Sequence, residues 1–90
     1  MFKEIHVVVT GKVQGVWFRV STKEKALQYN LRGWVRNCSD GSVEAVFQGQ
    51  DEHLDNLLKW INIGSEEAEV DSVKVTAQPI TAEYNDFRIL

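Results

Sequence analysis

The 90 residues are 43% hydrophobic and 26% charged, with a net charge of −3. A chain of this size buries roughly two-thirds of its unfolded surface, enough for one small core, so residues 1–90 are expected to form a single domain. The acidic balance argues against a general nucleic-acid binder, the lone Cys38 excludes an intramolecular disulfide framework, and one proline beside seven Trp and Phe residues argues against disorder.

Residues 5–10 (I-H-V-V-V-T) are β-branched and read as a central strand, with valines on both faces. Residues 11–19 (G-K-V-Q-G-V-W-F-R) follow as a loop punctuated by two glycines. Ser21 and Glu24 have the spacing of a capping box, which predicts a helix from Ser21 to about Tyr29. That helix would bury Leu27, flanked by Val20 and Leu31, and Asn30 fits the left-handed position that ends it. Residues 33–38 and 42–49 read as two strands. Asp40-Gly41 between them is a hairpin signal, and Val43, Ala45 and Phe47 share one face.

Leu54, Leu57, Leu58 and Ile61 recur at i, i+3, i+4 and i+7, the clearest amphipathic helix in the chain. Asp51 favours its start and Gly64 its end. The acidic stretch 65–69 reads as a solvated loop, residues 70–77 as another strand, and Phe87 with Ile89 as a short last one. The order β-α-β-β-α-β predicts an α+β, ferredoxin-like sandwich: an antiparallel sheet with both helices on one face and a short extra C-terminal strand. No apolar run approaches the roughly 20 residues of a membrane span, and Met1-Phe2-Lys3-Glu4 is no signal peptide. The expectation is a cytoplasmic protein without membrane partners.

The loop at residues 11–19 carries the clearest chemistry. It leaves a central strand and feeds a helix N-terminus, where successive N–H groups can converge on an anion. Arg19 adds a planar fork suited to phosphate oxygens. The plain alternative is a tight connection with a surface arginine, and the loop alone does not decide between them.

Two blocks of sequence decide more. Residues 11–19 match the acylphosphatase signature G-x-V-Q-G-V-x-F-R, and residues 33–44 (G-W-V-R-N-C-S-D-G-S-V-E) match that family's G-W-V-x-N-x-x-D-G-x-V-E. The chain resembles the acylphosphatase family over nearly its whole length, with two departures outside these blocks. Asn30 stands where family members commonly have glycine, and the loop at 64–66 lacks their usual proline. The resemblance implies hydrolysis of the carboxyl–phosphate bond of small acyl phosphates without a metal or other cofactor. It assigns phosphate binding to Arg19 and the backbone amides of Gln14, Gly15, Val16, Trp17 and Phe18. It makes Asn37 the group that orients the attacking water. Inorganic phosphate would be product and inhibitor, and a small monomer is the simplest expectation.

These roles fit elementary chemistry. Phosphoryl transfer asks chiefly for positioning and for neutralisation of the equatorial oxygens. A carboxylate leaving group is stable at neutral pH, so no strong general acid is needed. Cys38 adjoins Asn37 and should face the other way along the strand; a Cys-x5-Arg motif would need arginine where Glu44 stands. His6 and His53 lack ligand-spaced partners, and Glu66, Glu67, Glu69 and Asp71 read as solvated. Trp17, at the signature's variable position, could line the substrate approach. Lys12 and Lys23 could add positive potential.

Three other functions compete. A non-catalytic anion-binding or regulatory domain of the same fold would have no need of Asn37. An RNA-recognition domain would need stacked aromatics, where the strand at 42–49 offers only Phe47. A ferredoxin-like metal chaperone would need a second cysteine.

Overall fold

Burial alternates along Phe2–Lys12, the strand β1, with Ile5, Val7 and Val9 turned into the core. β1 lies between β3 (Val43–Gln50) and β4 (Glu69–Gln78), antiparallel to both. β2 (Arg32–Asn37) pairs antiparallel with β3, giving, with β5 (Phe87–Ile89) at the edge, the sheet order β4-β1-β3-β2-β5. β5 runs parallel to β2, so the expected antiparallel sheet is mixed at this one edge. The computed structural model describes residues 2–90; Met1, part of the N-terminal reading, lies outside them. Accessible surface totals 5404 Å², close to the roughly 5,400 Å² that surface scaling gives for a 10.3 kDa globule. No helix among the described residues is long and apolar enough to cross a membrane.

Two helices, α1 (Phe18–Gln28) and α2 (Asp51–Ile61), cover the sheet face formed by Val7, Val9, Val35, Val43, Ala45 and Phe47. α2 follows its sequence pattern: Leu54, Leu57 and Ile61 are buried, and Leu58 packs against the same cluster. Its end is closed by Gly64 at φ 81°, whose N–H donates to the Trp60 carbonyl at 2.8 Å.

α1 departs from expectation at its start and on its buried face. It begins at Phe18, so Ser21 already lies in the first turn, donating its N–H to the Trp17 carbonyl at 3.0 Å. The Ser21–Glu24 capping box therefore does not form. The buried stripe is Phe18, Thr22 and Ala26, spaced four apart, while Val20 and Leu27 are 39% and 54% exposed. Thr22 satisfies its buried hydroxyl by donating to the Phe18 carbonyl at 2.7 Å. The end of α1 is as expected: Asn30 adopts φ 56°. Asn30 N–H donates to Leu27 and Leu31 N–H to Ala26, a Schellman closure with asparagine in the left-handed position.

The other sheet face is partly covered by the segment before β5. Gln48 is fully buried there; its amide donates to the Ala82 carbonyl and to Glu4 at 2.6 Å each, and its oxygen accepts from Tyr84 N–H at 3.0 Å.

Candidate active site

The loop between β1 and α1 is shorter than its glycines suggested. Gly11 and Lys12 complete β1, Phe18 and Arg19 open α1, and only residues 13–17 connect them. Gly11 sits at a register shift against β4 with φ 122°, and a Cβ there would lie 2.2 Å from the Glu69 carbonyl oxygen, so no side chain fits. Val13 and Val16 are buried plugs that fix the loop to the core. Gly15 and Trp17 both have positive φ, 74° and 61°, the backbone geometry that turns neighbouring N–H groups to one side.

No backbone or side-chain acceptor among the described residues takes the N–H groups of Gln14, Gly15, Val16, Trp17 or Phe18. Trp17 is the N-cap of α1, yet offers no side-chain cap, and the first turn carries no acidic residue. The positive end of the helix dipole is thus left uncompensated, and Arg19 adds a full charge beside it. An open cavity of about 360 Å³ lies against Gly15, Trp17 and Phe18, lined also by Val13, Arg19 and Val20, whereas Gln14 and Val16 do not line it. Free amides, a helix terminus and a guanidinium around one hollow can bind a tetrahedral oxyanion. Trp17 stands 74% exposed on the rim, with Val20 beside the hollow, so one flank is apolar.

Asn37 is the last residue of β2 and is exposed. Cα pairing places Val9, Val43 and Asn37 in one row across β1, β3 and β2, and alternation turns Asn37 to the helix side with Val35. It does not line the cavity itself. Its strand end is joined to the loop by Gln14, whose side-chain amide donates to the carbonyls of Cys38 at 2.8 Å and Ser42 at 2.9 Å. The hairpin is closed by Cys38 N–H to Ser42 carbonyl, 2.8 Å, with Gly41 at φ 94°. Asp40 accepts from Ser42 N–H at 3.0 Å and from its hydroxyl at 2.6 Å, and these bonds hold the carboxyl below its ordinary value.

Two contacts of the loop had no signal in the sequence. One is the Gln14 side chain, since the signature implicates only the backbone amide of that residue. The other is Ser65, expected in a solvated loop but buried, its hydroxyl donating to the Val16 carbonyl at 2.7 Å. Glu69, from the same expected loop, belongs to β4, while Glu66 and Glu67 are exposed. Asp71 is exposed within β4.

The remaining candidates fall elsewhere. His6 Nε2 lies 2.6 Å from Glu44 Oε2 on the sheet face away from the helices, and Arg36 donates to the same carboxylate at 2.6 Å. His53 lies in the first turn of α2. Trp60 stacks on Phe18, 5.8 Å between ring centres, while Trp34 donates to the Tyr84 hydroxyl at 3.2 Å. No group of three metal-ligating side chains occurs among the described residues.

A sequence model of the acylphosphatase family matches residues 5–89. An acylphosphatase of Syntrophus aciditrophicus is 46% identical over 90 residues, spanning 100% of this chain and 94% of that protein. Among solved structures, an acylphosphatase from Coxiella burnetii superposes with a TM-score of 0.95 at 40% identity, covering 99% of this chain and 93% of the other. An acylphosphatase from Bacillus subtilis gives 0.95 at 31% identity, covering 100% and 99%.

Proposed function

The chain belongs to the acylphosphatase family and hydrolyses acyl phosphates, and on that premise we propose how its residues divide the work. Arg19 and the amides of Gln14, Gly15, Val16, Trp17 and Phe18 hold the phosphoryl group. The observation that carries this reading is the coincidence, at one 360 Å³ hollow, of unpaired loop amides, an uncapped helix start and a guanidinium.

Water attacks phosphorus in line with the acyl oxygen. The phosphorus–oxygen bond to the acyl group breaks, its electron pair leaves on the carboxylate, and the water's proton passes to a phosphate oxygen. Charge on the equatorial oxygens is met by Arg19 and the amides, a preorganised arrangement that costs no reorganisation during reaction. Those groups supply the charge stabilisation a metal would otherwise bring, so the reaction runs without one. Asn37 orients the water: its amide can donate to it and accept from it, and it cannot deprotonate it. The acyl group lies toward Trp17 and Val20.

The 90 residues act as one catalytic domain, a cytoplasmic monomer inhibited by its product phosphate. Release of inorganic phosphate from acetyl phosphate and benzoyl phosphate, with and without a chelator, tests the metal-free reading. Turnover should persist under exhaustive chelation. Loss of activity with recovery on adding metal would require a different mechanism.

A further inference from the structure

We propose that Gln14 is a positioning residue for the attacking water, holding Asn37 in place through the end of the β2–β3 hairpin. This rests on the reading of Asn37 given above and extends it to a side chain that touches neither water nor phosphate. One nitrogen, Gln14 Nε2, donates both of its hydrogens, to Cys38 at 2.8 Å and to Ser42 at 2.9 Å. Each carbonyl already has another donor: Gly41 N–H reaches Cys38 at 3.2 Å, and Cys38 N–H reaches Ser42 at 2.8 Å. Gln14 therefore saturates the two oxygens at the neck of the hairpin, and Asn37 is the residue immediately before that neck.

The chemistry of the position is restrictive. A neutral amide brings two donors from a single atom without adding charge beside an anion site. A glutamate would set a carboxylate against two carbonyl oxygens, and an alanine would leave both oxygens short of a donor. Chain geometry then carries the constraint to Asn37, since consecutive Cα atoms are about 3.8 Å apart and β2 is paired in register up to this residue.

The phosphate loop has anchors of its own. Val13 and Val16 are buried, and Ser65 holds the Val16 carbonyl. Among the described residues, the two side-chain bonds joining this loop to the hairpin neck both come from Gln14. Losing them should displace Asn37 more than it disturbs the phosphate cradle.

The test is a double-mutant cycle with Gln14→Met, which keeps length and loses the donors, and Asn37→Ala. Each variant is assayed for kcat, KM and inhibition by inorganic phosphate. Gln14→Met should lower kcat about tenfold or more, since small displacements of a reacting group cost up to about 10²-fold. Phosphate inhibition should stay within about threefold, and the substitution should cost nothing further in the Asn37→Ala background. Should Gln14→Met not fold, Gln14→Asn, polar but one methylene short, is expected to show the same split. An equal kcat loss with and without Asn37 would overturn the proposal, as would loss of phosphate affinity in step with kcat. So would unchanged turnover in a folded variant. If Asn37→Ala alone retains full turnover, the water-orienting reading itself fails, which the single variant reports independently.

Discussion

The hydroxyl of Ser65 donates to the main-chain carbonyl of Val16 across 2.7 Å, a buried bond between residues 49 apart in sequence. It ties the segment after α2 to the loop that frames the cavity. The loop is thereby braced from two sides, by Ser65 at Val16 and by Gln14 at the hairpin neck.

Ser65→Ala should therefore weaken phosphate binding more than it slows turnover at saturation. Leaving a buried carbonyl without its donor costs about 1–3 kcal/mol, so a lowered Tm should accompany a several-fold weaker inhibition by inorganic phosphate. The pattern is the reverse of that expected for Gln14→Met. Unchanged Tm and phosphate inhibition would show that the bond contributes nothing to the cradle.

Trp17 should set preference among acyl groups. An aromatic contact is worth about 0.5–1.5 kcal/mol beyond its buried area, so Trp17→Ala should lower kcat/KM for benzoyl phosphate about tenfold. Acetyl phosphate, too small to cover the ring, should change about twofold or less. Stability should barely move, because the side chain is 74% exposed. Equal losses on the two substrates would mean that Trp17 shapes the loop and does not meet the acyl group.

Glu44 gives stability a defined dependence on pH. His6 from β1 and then Arg36 from β2 hold its carboxyl below the ordinary glutamate value, against the opposing effect of burial. A depressed folded value contributes stability above the unfolded value of about 4.3 and loses it as pH falls through the folded one. Urea unfolding of the parent and Glu44→Gln should differ most near neutral pH and converge as pH falls below the unfolded value and through the depressed folded one. A difference that stays constant through that range would contradict the assignment.

Much of this architecture could be read from the residues because its signals are periodic or local. Leu54, Leu57 and Ile61 announced α2, and Asp40-Gly41 announced the hairpin. α1 was harder, since a buried stripe containing Thr22 and Ala26 has little apolar contrast with exposed Leu27. Its start at Phe18 escapes capping rules for a reason connected to function. Capping rules look for a side chain that satisfies the first N–H groups, whereas Trp17 leaves them unsatisfied beside Arg19. Arg19 and Asn37 stood out through their motifs. Gln14 and Ser65 act through bonds spanning 24, 28 and 49 residues, and such pairings leave no trace in a local pattern.

In the proposed mechanism Arg19 and the loop amides hold the phosphoryl group. The most direct test is the inhibition constant of inorganic phosphate in Arg19→Ala, with Arg19→Lys alongside. Removing a charged, forked donor should weaken phosphate inhibition and lower turnover by about 10²–10³ or more, and lysine should restore little of either because a point charge lacks the fork. Phosphate inhibition and turnover in Arg19→Ala equal to those of the parent would contradict the assignment of the site.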